Sequence, residues 1–122
     1  MRLKGMENST REINVETITV DTFCRSIGIA PNVMKMDVEG FEPNVIAGAR
    51  ETIISAKPII IFELWESRWQ KLQPMISFLS ERYHLIKLLD GSPAIPFYKE
   101  EPRSGVDDIL CIPFIIPQPR VS

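Results

Sequence analysis

A chain of 122 residues, 44% apolar and 25% charged, can build one modest hydrophobic core and no more. Its formal net charge of −2 comes from 14 basic and 16 acidic residues spread along the chain, so it carries no electrostatic footprint for nucleic acid or an anionic membrane. Two distant cysteines without a CxxC pattern argue against a zinc site or a disulfide framework and fit free thiols in a reducing cytoplasm.

The first six residues are too few and too polar for a signal peptide, and no apolar run reaches the roughly 18 residues of a membrane helix. The polar stretch 7–12 has little to bury and reads as frayed. Residues 13–20 alternate Ile, Val and Thr, which predicts an extended strand. Asp21 is placed to cap a short helix with Phe23, Cys24 and Ile27 on its apolar face and Gly28 as its stop. Pro31 and Asn32 then break the chain.

Residues 33–38, Val-Met-Lys-Met-Asp-Val, form a short apolar strand that runs into Asp37, Glu39, Gly40 and Glu42, with Pro43 at the first turn of a helix. That helix spans 42–56, with Val45, Ile46, Ala49 and Ile53 on one face and Gly48 permitting close approach of a neighbour. Residues 58–64 are almost wholly apolar, as for a central strand covered on both faces, and carry Glu63 near the carboxyl end. Trp69, Leu72, Ile76, Leu79 and Tyr83 then mark a helix over 67–83 that Pro74 divides or kinks. Residues 84–89 form another strand, Asp90-Gly91 a turn, 92–108 a long loop and 109–116 a last strand with Pro113 at an edge or bulge. The tail 117–122 is extended. A βαβ unit is the economical connection of 33–38 with 58–64, so both strands deliver their acids to the same end of the sheet. Ligands bind beyond the carboxyl ends of parallel strands, which makes this acidic end the candidate site. Lys35 and Asp37 share one face of their strand, so Lys35 needs an anionic partner or an outlet to solvent.

At this point a resemblance becomes specific. The segments Ile-Thr-Val-Asp-Thr-Phe at 18–23, Lys-Met-Asp-Val-Glu-Gly-Phe-Glu at 35–42, Val-Ile-Ala-Gly-Ala at 45–49 and Pro-Ile-Ile-Ile-Phe-Glu-Leu at 58–64 resemble the carboxyl-terminal half of FkbM-type S-adenosylmethionine-dependent methyltransferases. The likeness is good over 13–66 and looser to about 115. It implies an α/β, class I methyltransferase (Rossmann-like) fold: a mainly parallel sheet closed by an antiparallel strand pair, 84–89 with 109–116. Residues 33–38 would be the fourth strand and 58–64 the fifth. The implied reaction is methylation of a hydroxyl on a sugar or polyketide-like small molecule, with S-adenosylmethionine as donor. Carried over, Asp37 and Glu39 are the catalytic candidates, Asp37 also the donor-side residue, and Glu39, Glu42 and Glu63 the acceptor-side residues. Glu42 has a competing structural reading as a helix-start charge favoured by the dipole.

The pattern also departs from the family. Its glycine-rich loop and the acid that holds the donor ribose lie upstream of anything in this chain, and the six glycines here include no two close enough to form such a loop. The 122 residues are therefore expected to be a single but incomplete domain whose first strands are missing. Its exposed sheet edge calls for a homodimer or for the missing amino-terminal half. Two rival readings remain: a divalent-metal enzyme using Asp37, Glu39 and Glu63 as oxygen ligands, and an inactive fragment that serves as an interaction or dimerisation module.

Overall fold

The computed structural model describes residues 10–114, so the expected tail at 117–122 and most of the polar opening lie outside the described residues. The elements are α1 (Val20–Ile27), β1 (Val33–Met36), α2 (Glu42–Gly48), α3 (Arg50–Ala56), β2 (Ile59–Trp65), a 3-10 turn at Glu66–Arg68, α4 (Trp69–Ser80), β3 (Tyr83–Leu89), β4 (Ser92–Pro96) and β5 (Val106–Pro113). The strands form one sheet in the order β1-β2-β5-β3-β4. β1 runs parallel to β2, and the β2–β5, β5–β3 and β3–β4 ladders are antiparallel. The expected mainly parallel sheet is thus a mixed one among the described residues.

One side of the sheet is closed. Met34 and Met36 from β1, Ile60, Phe62 and Leu64 from β2, and Ile109 and Cys111 from β5 join Ile46, Ile53, Leu72, Met75, Ile76 and Leu79 from the helices in a single core. The opposite face of β2 runs from half-buried Ile59 and Ile61 to exposed Glu63 and Trp65, so β2 is not covered on both faces as its apolar run suggested. At the base of the core, Tyr83 donates a 2.6 Å hydrogen bond to the Pro58 carbonyl oxygen. Burial, followed by nearby Cys111, pushes its phenol up to about 12. Burial pushes the Cys111 thiol up to about 12 as well. Both cysteines are free.

Several expectations are corrected. Residues 13–20 form no strand: the chain is irregular up to Thr19, with Ile13 and Val15 75% and 78% exposed, because alternation makes a strand only where a neighbour supplies ladder bonds. Asp21 does not cap its own helix. The α1 cap is Thr19, whose side-chain oxygen accepts from the Thr22 amide at 3.1 Å. Asp21 instead caps α3, accepting from the Glu51 amide at 3.0 Å, the Thr52 amide at 2.8 Å and the Thr52 hydroxyl at 2.6 Å. Burial would raise its pKa, but the Thr52 and Glu51 hydrogen bonds and the Arg25 charge together hold it below the usual value. The helix expected over 42–56 is two helices broken at Ala49, which has φ −112° and ψ 8°. At Gly48 a Cβ would approach the Thr19 side chain to 3.1 Å, the close contact expected there. α4 runs unbroken through Pro74, because burial of Leu72, Met75, Ile76 and Leu79 outweighs one missing backbone bond, and Tyr83 belongs to β3. The loop expected over 92–108 contains β4 and the start of β5. β5 lies inside the sheet between β2 and β3; the edges are β1 and β4.

Candidate functional site

β1 ends at Met36, one residue before Asp37, and the chain turns into α2 through Glu39 and Gly40, both with positive φ at 47° and 95°. The turn is closed by the Phe41 amide donating to the Val38 carbonyl oxygen at 3.2 Å. Pro43 opens α2, and no side chain caps its amino terminus. Gly40 is required twice over: its conformation is left-handed, and a Cβ there would stand 3.2 Å from Arg68 Nε. β2 delivers Glu63 and Trp65 on its open face, two residues apart. The 3-10 turn that follows is tied to the far loop by the Glu66 amide donating to the Gly105 carbonyl oxygen at 2.8 Å, and by the Gly105 amide donating to Glu66 Oε2 at 3.2 Å. That turn sets Arg68 over the Trp65 ring at 5.5 Å.

The result is a recess of about 210 Å³ lined by Asp37, Glu39, Glu42, Glu63, Trp65 and Arg68. A second recess of about 350 Å³ adjoins it through Asp37 and Glu63 and includes Lys35, Leu88 and Asp108. All four acids singled out from the sequence therefore meet in one place. Their environments differ. Asp37, Glu39 and Glu63 are exposed, whereas Glu42 is only 3% exposed and its Oε1 has no hydrogen-bond partner. Lys35 is exposed and forms no ion pair within 4.0 Å with Asp37 or Glu63, so it meets solvent rather than an anion. Among the described residues no three His, Cys, Asp or Glu side chains are grouped so as to hold a metal ion. No described helix is long and apolar enough to cross a membrane.

Trp65, Arg68 and Asp108 were not read from the sequence as site residues. For Trp65 a signal existed, since period-two alternation places it on the same face as Glu63. Arg68 and Asp108 had none, because a turn and an antiparallel return strand bring them in.

Comparison with curated proteins and with solved structures returns no match. The family model described as the methyltransferase FkbM domain matches residues 2–85, more than half of the chain. That span contains β1, β2 and the whole wall of the smaller recess, from Asp37 to Arg68. The acids gathered at the ends of β1 and β2 thus lie in the matched segment, and the chain belongs to the FkbM methyltransferase family.

Proposed function

We propose that this chain forms the acceptor side of an S-adenosylmethionine-dependent methyltransferase acting on a hydroxyl of a sugar or polyketide-like small molecule. The observation that carries the reading is the convergence of Asp37, Glu39, Glu42 and Glu63 at the ends of two adjacent parallel strands within the family-matched segment. The strand order β1-β2-β5-β3, with an antiparallel return strand inserted beside β2, agrees with the fourth, fifth, seventh and sixth strands of a class I methyltransferase sheet.

The described residues fit one part of the donor. A carboxylate at the position of Asp37 suits a neighbouring positive sulfonium, but none of the glycines at 28, 40, 48, 91 and 105 forms a glycine-rich cradle, and the space beside Gly40 is taken by Arg68. The bound donor would supply an electrophilic methyl group. The chain's task is to hold the acceptor hydroxyl in line and to take its proton. Asp37 or Glu39 serves as general base, while Glu63 and Glu42 accept hydrogen bonds that orient the acceptor. The outer edge of β1 pairs with no strand among the described residues. This supports completion of the sheet by a second copy or by a donor-binding half. The two free thiols suit a reducing, cytoplasmic setting.

Calorimetric titration with S-adenosylhomocysteine tests the reading. The folded chain is expected to bind it, and Asp37→Ala to weaken binding at least about tenfold with the melting temperature kept. A folded chain that binds no donor, alone or with the upstream half supplied, would instead be an interaction module.

A further inference from the structure

The smaller recess has a charge balance that a neutral acceptor leaves uncompensated. Four carboxylates line it against one guanidinium. That guanidinium is not spent on them: Arg68 lies over Trp65 at 5.5 Å and forms no ion pair within 4.0 Å with any of the four. Next to it, Glu63 stands directly opposite Asp108 in the β2–β5 ladder, a like-charge pair with no lysine or arginine within 4.0 Å, Lys35 lining the adjoining recess without pairing to either. Elsewhere the chain does neutralise such groups, since Asp107 is met by both Lys87 and Arg103.

Glu42 supplies the independent observation. Its side chain is withdrawn from water yet its Oε1 accepts nothing, although it lines the recess. A buried acceptor without a donor is costly, and a charged donor satisfies it best. Among the described residues these carboxylates form no group of three close enough to wrap a bare metal ion. An anion would be repelled. An organic ammonium answers each feature: it brings several diverging N–H donors on an extended molecule, and the indole of Trp65 already receives a cation on its ring.

We propose that the recess binds a molecule carrying an ammonium group, so that the acceptor is an amino sugar or amino alcohol, its amine held by Glu42 and Glu63 beside the hydroxyl presented to Asp37. This rests on reading the recess as the acceptor side of the site.

The test is an NMR titration of the isotope-labelled chain with D-glucosamine and, separately, D-glucose at about pH 6.5, where the sugar amine is protonated. Glucosamine is expected to bind at least about tenfold more tightly, with shifts centred on residues 37–42 and 63–68 and an affinity that falls when salt rises from about 50 to 500 mM. Glu63→Gln, at an exposed position, and Glu42→Gln are each expected to bring the ratio close to one, with folding checked by thermal melting. Equal binding of the two sugars, no binding of either, or a preference that survives both substitutions in folded protein would overturn the proposal. S-adenosylhomocysteine binding, measured on the same samples, separates the two readings. An amine preference without donor binding leaves this site standing and removes methyl transfer; donor binding without an amine preference does the reverse.

Discussion

Glu42 and Arg103 both carry ionisable side chains withdrawn from water, and they are treated in opposite ways. The Arg103 side chain, 3% exposed, donates to the Tyr98 carbonyl oxygen at 2.7 Å and the Glu101 carbonyl oxygen at 3.0 Å, meets the Asp107 carboxylate at 3.5 Å, and stands over the Phe97 and Trp69 rings at 4.5 and 5.3 Å. Glu42, buried as a whole residue, leaves an oxygen with no partner. A charge that holds a fold together is satisfied by the fold, because a lone buried charge costs several kcal/mol. Under the proposed reading, the group left unsatisfied beside the recess is completed by the ligand.

Five substitutions sharpen this contrast. Arg103→Ala should do the most damage, about 3 kcal/mol in urea unfolding, because it leaves Asp107 with Lys87 alone and unpins the loop 97–105 whose Gly105 anchors the 66–68 turn. Arg103→Lys should recover little of that loss, since an ammonium cannot reproduce the two carbonyl hydrogen bonds and the carboxylate contact that the guanidinium makes from one side chain. Tyr83→Phe removes one buried hydrogen bond to Pro58 and should cost about 1 to 2 kcal/mol, read as a lowered melting temperature.

Asp21→Ala should cost about 1 kcal/mol, the usual worth of a lost helix cap. Because the folded state lowers the Asp21 pKa, its contribution is complete at neutral pH and disappears as pH falls through that lowered value. Variant and wild type should therefore converge in stability under acid, and a constant difference across the acid range would contradict the cap. Glu42→Gln should be the one change that costs the fold nothing, because the acid makes no bond that the fold needs and a neutral amide is cheaper to bury. A loss near that of Arg103→Ala would show that Glu42 is structural after all.

The sequence carried much of the fold wherever a pattern was local. The apolar run at 58–64 became β2 at Ile59–Trp65, the three-and-four spacing from Trp69 became α4, and Asp90-Gly91 became the turn between β3 and β4. The acids at 37, 39, 42 and 63 were likewise legible, because strand ends and a helix start placed all of them at one end of the sheet. β4 at Ser92–Pro96 was not legible, since two prolines disguise an edge strand that exists only because β3 lies beside it.

What the sequence determined by itself was therefore the periodic elements, the family and the acidic end of two strands, all properties of residues within a few positions of one another. Only the tertiary structure decided which charges are satisfied. Asp21 caps a helix some 30 residues away, Arg103 reaches back to Trp69, Arg68 stands over Trp65 beside Gly40, and Glu42 Oε1 is left with none. Hydrogen bonds and ion pairs act over a few ångströms of space, and the chain brings distant residues within that range only once the sheet has closed against its helices.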